Sequence, residues 1–397
     1  MNTEKIAQRL NSEISIVLVS DTVFDANGVS RFIQDAAAIA LRSGLRFTVL
    51  TSSTLDSGKS AGNIINTKPL LAVRMPFFHE QFLTLLPPFL TLYKEIKRLR
   101  PDVIHISTPG PIGFYALFVA RVLRIPTAGT YHTDFPAYLE HFTKSRTVGQ
   151  ITRAVMRLFY RRMGLVFSRS LPYLPILHEE IKIPSERTAY LKPGTDLQRF
   201  SPLHKDPKIW QNYGIAEESI KLLYVGRLSK EKNFLFVVSC FKAVQKRSAR
   251  KVELIVLGEG ELSKSEALKD CDGIHLFGVK HGEELSALYA SSDLFVFAST
   301  TETLGQAVME AQASGLACIV SDRGGVKETV KDRCSGFTIS VDDQKRWVRE
   351  LSLLVENDKL RLKMGEKGRE LMKARSIEGS FRTFIKHHEA MIDTWRY

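Results

Sequence analysis

The stretch DLFVFASTTETLGQAVMEAQASG, Asp293 to Gly315, changes character in its middle. Its first half is a run of bulky apolar residues suited to a buried strand, and its second half, from about Leu304, reads as a helix. A strand that turns directly into a helix is the building unit of a parallel sheet with helical crossovers. Thr301 or Thr303 is placed to cap a helix beginning near Leu304, leaving the amides of Leu304, Gly305 and Gln306 at its positive end. Such an end suits phosphate oxygens, and Gly305 lets a ligand approach the backbone closely. Glu302 precedes the helix, while Glu310 lies about two turns in, roughly 9 Å along at about 1.5 Å per residue. Two carboxylates so spaced either grip hydroxyls at two points of one ligand or amount to a capping box and a solvated charge.

The same rhythm extends on both sides. In the first half, strands are predicted at Ile14 to Ser20, Arg46 to Thr51, Asp102 to Ser107, Thr127 to His132 and Gly164 to Ser168. In the second half they are predicted at Lys221 to Arg227, Val252 to Gly258, Gly273 to Gly278, Asp293 to Thr300 and Ala317 to Asp322. Two open α/β sheets follow, divided near LKPGTDLQRFSP (Leu191 to Pro202), whose Pro and Gly residues interrupt regular structure. The expected division is a Rossmann-like domain over residues 1–200, a second over 203–375, and a last helix within 376–397 that has no strand to serve and returns to the first domain. A chain of 397 residues with 44% apolar and 25% charged content accommodates two such cores. Ligands collect at the carboxyl ends of strands in such sheets, so two domains facing each other across a cleft would hold a ligand there.

Composition narrows the class. No run approaches the roughly 20 apolar residues of a spanning helix, and the polar start MNTEKIAQRLNSE lacks a signal core. Cys240, Cys271, Cys318 and Cys334 show no paired spacing, which points to a reducing cytoplasm with neither disulfide frame nor zinc site. The net charge of +13 is concentrated in residues 1–200, which carry +10. Within them RAVMRLFYRR (Arg153 to Arg162) is basic and amphipathic as a helix, so it either packs an apolar side inward or lies on an anionic membrane at the inner face. No nucleic-acid signature is present, and none is expected as a partner. Phe77, Phe78, Phe82 and the Leu85 to Leu90 stretch read as core or as an apolar groove, with core preferred.

Three further segments follow predicted strands. In YVGRLSKEKN (Tyr224 to Asn233), Arg227 and Lys232 flank a turn and either neutralise a diphosphate or remain solvated. In DANGVSRF (Asp25 to Phe32), Gly28 suits a shortened phosphate loop or an ordinary turn. In YHTDFPAY (Tyr131 to Tyr138), His132 either bonds a substrate hydroxyl or is structural, and Asp134 is read as a helix cap. Asp270-Cys271-Asp272 has a metal-binding spacing but precedes a strand, away from the ligand-facing ends, so no metal is expected.

Taken in order, the YHTDF strand end, the LKPGTDLQRF linker, the GRLSKEKN loop and Glu302 with Glu310 resemble the family 4 glycosyltransferases of the GT-B fold, over most of the chain. TETLG together with YHTDFPAY is most similar to the glycolipid-forming branch, which includes sulfoquinovosyl-diacylglycerol synthases and phosphatidylinositol mannosyltransferases. The resemblance implies a retaining transferase acting on a UDP- or GDP-sugar, with a lipid or glycan acceptor and no cofactor. It implies that Glu302 contacts donor-sugar hydroxyls, that Thr303, Leu304 and Gly305 meet sugar and phosphate, and that Glu310 holds the ribose. Arg227 and Lys232 would stabilise the diphosphate, Val279 would lie against the base, and His132 would touch the sugar near the reacting carbon. Gly28 stands where many members have paired glycines. Two other readings remain: a nucleotide-sugar 2-epimerase on the same frame, and a non-catalytic nucleotide-sugar or nucleic-acid binding module.

Overall fold

All residues of β1 (Ile16–Ser20) are buried, as a strand must be when helices cover both faces of its sheet. The computed structural model describes residues 13–25, 28–55, 62–75, 78–268, 272–302 and 304–395. The chain divides into one unit of Met1–Lys192 with Glu378–Tyr397 and a second of Pro193–Ile377.

In the first unit β1, β2 (Phe47–Thr51), β3 (Ile64–Asn66), β6 (Val103–Ile106), β7 (Thr127–Tyr131), β8 (Leu165–Ser168) and β9 (Thr188–Tyr190) form one sheet in the order β3-β2-β1-β6-β7-β8-β9, every neighbouring pair parallel. Between β3 and β6 in sequence, β4 (Leu71–Met75) and β5 (Phe78–Leu86) leave this sheet and pair antiparallel with each other. The second unit holds β10 (Ile220–Val225), β11 (Val252–Leu257), β12 (Ile274–Leu276), β13 (Leu294–Phe297), β14 (Ala317–Ser321) and β15 (Gly336–Ile339). They run parallel in the order β12-β11-β10-β13-β14-β15. In each sheet the order reverses beside the first strand: β1 lies between β2 and β6, and β10 between β11 and β13. Crossovers leave these strands in opposite directions, which opens a crevice at their carboxyl ends.

Two readings of the sequence need correction. The Leu85 to Leu90 stretch is not core: Leu85 and Leu86 are exposed at the end of β5, which lies outside the main sheet, and Phe89 and Leu90 are exposed at the start of the helix Phe89–Leu99. Phe77 falls outside the described residues, as do the side chains of Phe78 and Phe82. The Leu191 to Pro202 segment is also more than a connection. Phe200 is buried in the second core, and its carbonyl accepts from Arg369 Nη1 at 2.8 Å. Thr195 pairs with the chain's return, its N–H donating to Arg375 O at 2.9 Å and its carbonyl accepting from Ile377 N at 3.0 Å.

The last helix, Ile377–Thr394, packs in the first unit. Phe381 meets Phe47 edge-on at 5.6 Å, and Phe384 meets Phe32 at 6.0 Å and Phe167 at 5.4 Å. One turn further, His388 Nδ1 donates to the Phe384 carbonyl at 2.7 Å, so its Nε2 is an acceptor. His105 Nδ1, 3.1 Å away, therefore carries the proton, and His105 Nε2 accepts from the Thr130 hydroxyl at 3.0 Å. Both rings are fully buried and neutral. Burial pushes His388 down to about 4 and His105 well below the ordinary imidazole range, with His388 and His132 beside it adding to the shift.

A depressed folded-state pKa means that the unfolded chain takes up protons first as pH falls below about 6.5, so stability is full above that pH and is lost towards 4. Each such histidine contributes a slope of about 1.4 kcal/mol per pH unit. Asp21, raised by burial to about 6, acts in the opposite sense between its unfolded value and 6. Comparison with H388Q isolates one histidine: in urea unfolding between pH 6 and 4.5, the variant should lose stability less steeply than the wild type by about one proton. Equal slopes would contradict the buried neutral pair.

Candidate functional site

β10 and β13 are adjacent in the sheet although Lys232 and Glu302, in the loops that follow them, are 70 residues apart. That adjacency places Lys232 Nζ 2.5 Å from Glu302 Oε2. The side chains are 20% and 23% exposed, shielded from bulk water yet open to a ligand. Glu302 is anchored through its backbone: its carbonyl accepts from Gly325 N at 2.6 Å. Gly324 has φ +68, and a Cβ there would lie 2.5 Å from the same carbonyl oxygen, so the close approach requires glycine.

Arg227, half-buried, stands just beyond β10, and its carbonyl accepts from the Tyr224 hydroxyl at 3.0 Å. Burial raises the Tyr224 phenol well above its ordinary range, and the Glu302 and Glu231 charges add to this. Tyr224 thus ties the Arg227 loop to the strand as a neutral donor.

The helix after β13 starts later than its threonines suggest. It spans Gln306–Ala313, with Gly305 as N-cap at φ 64, ψ 44 and no side-chain cap. Thr301 instead donates to Glu231 O at 3.5 Å, and Thr303 falls outside the described residues. The left-handed turn at Gly305 replaces a threonine cap, and a Cβ there would lie 3.0 Å from Val326 Cγ1. The leading amides are consequently those of Gln306, Ala307 and Val308, with Leu304 just before the turn. Glu310 sits one turn in rather than two, and is buried. Its Oε2 accepts from the Tyr289 hydroxyl at 3.1 Å. Val279 follows β12 and is 48% exposed, an apolar side chain in solvent. Asp270 and Cys271 lie outside the described residues.

In the first unit His132 directly follows β7, and its Nε2 lies 3.0 Å from Ser107 Oγ, just after β6. Burial, with the Arg169 charge adding, pushes this imidazole down to about 3. Arg169, just after β8, is buried with its guanidinium 4.2 Å over the Phe32 ring. Asp21 accepts from Thr108 Oγ1 at 2.8 Å and Ile112 N at 3.1 Å, tying β1 to the loop after β6. Asp134 accepts from Ala137 N at 3.2 Å as the cap of the helix Phe135–Thr143. Gly28 opens the helix Gly28–Arg42, and a Cβ there would meet nothing within 4 Å.

Lys232, Glu302 and Gly305 therefore lie in the loops that follow the central strands β10 and β13, with Glu310 one turn into the next helix and Arg227 in the same loop as Lys232. Gly324, Tyr224 and Tyr289 support them and escaped the sequence reading; the paired glycines of DRGGVKE, after a predicted strand, were the available signal for the first.

Residues 26–199 match the family model described as Glycosyltransferase Family 4, and residues 205–371 the one described as Glycosyl transferases group 1. The chain belongs to the family 4 glycosyltransferases. The sulfoquinovosyl transferase SQD2 of Arabidopsis thaliana is 28% identical over 70% of this chain and 54% of its own length. The alpha-monoglucosyldiacylglycerol synthase of Streptococcus pneumoniae is 27% identical over 60% of this chain and 56% of its own, so the aligned chain spans about half of each. A GDP-mannose-dependent alpha-mannosyltransferase of Mycobacterium tuberculosis is 27% identical over 83% of this chain and 85% of its own. A glycosyltransferase structure from Rickettsia africae superposes with a TM-score of 0.76 at 18% identity, over 97% of this chain and all of that one. The fold is GT-B, with two Rossmann-like α/β domains, and the chain is a hexosyltransferase.

Gly324→Ala tests the support beneath Glu302. The variant should fold with a lowered thermal midpoint, by about 1–3 kcal/mol of strain, and should lose nucleotide-sugar turnover. Unchanged turnover would mean that the Glu302 backbone position is not used.

Proposed function

We propose that this family 4 enzyme transfers a sugar, with retention of anomeric configuration, from a UDP- or GDP-sugar to a hydroxyl of a lipid or lipid-linked glycan, at the surface of an anionic membrane. The observation that carries the reading is the Lys232–Glu302 pair at the crevice between β10 and β13, beside the Gly305 helix start. Breaking the anomeric bond leaves negative charge on a diphosphate, and cations and helix amides fixed at that point stabilise the transition state more than the ground state. Lys232 and Arg227 supply the cations, and the first turn of Gln306–Ala313 supplies the amides. Glu302, ion-paired with Lys232, is assigned the sugar hydroxyls next to the phosphate. Glu310 is assigned the ribose, Val279 the base, and Leu304 with Gly305 the sugar-phosphate junction. His132, kept neutral by burial and by Arg169, is assigned the reacting end of the sugar. Attack on the same face as departure, with the leaving phosphate accepting the acceptor's proton, needs no protein nucleophile.

Relatives support both donor classes, one being named GDP-mannose-dependent and another a UDP-Gal galactosyltransferase of Escherichia coli, and a diacylglycerol glycoside is named as the product of a third. The helix Arg146–Tyr160 supports the membrane reading. It buries Met156, Phe159 and Tyr160 on one side and exposes Ile151, Val155 and Leu158 on the other. Arg153 is paired with Glu180 at 2.7 Å, while Arg161 and Arg162 are exposed at the helix end. An outward apolar stripe with basic flanks suits an anionic interface. Among the described residues no helix is long and apolar enough to cross a membrane.

E302Q and K232A should each reduce turnover of the accepted UDP- or GDP-sugar at least 100-fold (about 2.7 kcal/mol) while remaining folded by circular dichroism. Unaltered activity in either would remove that residue from the mechanism. In flotation assays the protein should bind anionic vesicles at low salt and release at high salt, and I151E/L158E should weaken binding. Binding indifferent to both would end the membrane reading.

A further inference from the structure

Arg169 directly follows β8 and is 4% exposed, yet among the described residues it makes no hydrogen bond and no ion pair. Its Nε is shut off from solvent and donates to nothing. The Phe32 ring covers one face of the guanidinium at 4.2 Å, but the N–H donors of an arginine lie in the guanidinium plane, so a ring over the face satisfies none of them. The charge survives: burial pulls the group down to about 10, while Asp35 and Tyr190 work against the fall, so it is a cation at neutral pH. Asp35 does not pair with it; both oxygens of that carboxylate accept from Arg31 Nε, at 3.2 and 3.1 Å. A buried cation with unspent donors is costly, and an apolar side chain of similar length would remove the cost. Such a group fits a site whose ligand supplies the missing acceptors. The surroundings fit a ligand as well. His132, after the neighbouring strand β7, holds its ring 6.2 Å from the same Phe32 and has its pKa lowered further by the Arg169 charge. Both side chains stand at the carboxyl ends of their strands, where ligands of such sheets collect.

We propose that Arg169 is a specificity-determining residue that binds an oxyanion, a phosphate, carboxylate or sulfonate, carried by a substrate close to the carbon at which the sugar is joined. A guanidinium fork matches two oxygens of one oxyanion, and a charge already desolvated by the fold binds it more strongly than a charge in water. Phe32 holds the fork's plane in place, so the ordering cost is met on folding rather than on binding. That the oxyanion belongs to a substrate of the transfer rests on the assignment of His132 to the reacting end of the sugar; that Arg169 binds an oxyanion does not. The group has two possible sources, an acidic sugar on the donor or an anionic acceptor.

The test has two arms, both on the full chain. In the first, thermal midpoints are followed in methyl phosphate, acetate and methanesulfonate against sodium chloride at equal ionic strength. At least one probe should stabilise the wild type saturably. K232A should keep that response, R169M should lose it, and R169K, which keeps the charge without the fork, should need about tenfold more probe. Without any probe R169M should melt no lower than the wild type, because it removes an unpaired buried charge. A response to none of the probes, an equal response in R169M, or a midpoint several degrees lower in R169M would each overturn the oxyanion site; R169K decides the point if R169M is poorly folded. In the second arm KM is compared for neutral and acidic donor sugars (UDP-glucose and GDP-mannose against UDP-glucuronate) and for phosphatidylcholine vesicles carrying diacylglycerol or phosphatidylglycerol. R169M should raise KM at least about tenfold for the anionic member of one pair and less than about twofold for the neutral member. A change confined to UDP-glucuronate identifies the sugar as the source, and one confined to phosphatidylglycerol identifies the acceptor. An equal change for charged and neutral members overturns the specificity role. Probe binding at Arg169 with turnover of none of these pairs leaves the oxyanion site standing and removes its link to the transfer.

Discussion

A parallel sheet cannot place two consecutive strands side by side without a crossover, and the direction of that crossover decides which loops become neighbours. In the second unit the crossovers from β10 and β13 lead to opposite sides, and the loops after these two strands come to face each other. Lys232 and Glu302 meet only because of this reversal. In the proposed reaction Lys232 serves the diphosphate and Glu302 the sugar, and the two must be close together, since the bond to be broken joins those parts of the donor. The topology supplies that proximity before any side chain is chosen.

Much of the site is then held by backbone. Gly305 adopts a left-handed turn against Val326, and Gly324 lets its loop reach the Glu302 carbonyl. Gly324 touches no ligand in this scheme, and Gly305 does so only through its backbone. Each removes a Cβ that would separate two loops carrying the functional groups. Each unit also has its own polar anchors: in the second, Tyr224 holds the Arg227 carbonyl, and in the first, the Ser107 hydroxyl lies against His132. The neutral state of His132 comes from burial and from the neighbouring Arg169 charge, so this imidazole can make hydrogen bonds without adding a second cation.

Fold class was legible because it is written in local periodicity. The apolar runs at Ile16–Ser20 and Leu294–Phe297 are long enough to mark a buried strand on their own. β9 and β15 were not read; Thr188–Tyr190 is a short edge strand, and Gly336–Ile339 contains a glycine and a threonine. The helix start was misplaced for a different reason. Local capping preference favours Thr301 or Thr303, but contact with Val326 from a later loop favours a glycine turn at 305. Tyr289 carried no signal, since a tyrosine in an amphipathic helix looks like core until its hydroxyl is found to face Glu310. The Leu85 to Leu90 residues looked like core because composition cannot tell a covered apolar run from one standing outside the main sheet.

The helix Ile377–Thr394 belongs to a unit whose other strands and helices are all made before Pro193. On a ribosome the whole of Pro193–Ile377 must be translated in between, on the order of 10 to 40 seconds at about 5–20 residues per second. During that interval Phe32, Phe47 and Phe167 lack their covering side chains, and His105 lacks the acceptor for its ring proton. Closure of the first unit is therefore timed by the arrival of the last helix rather than by its own synthesis.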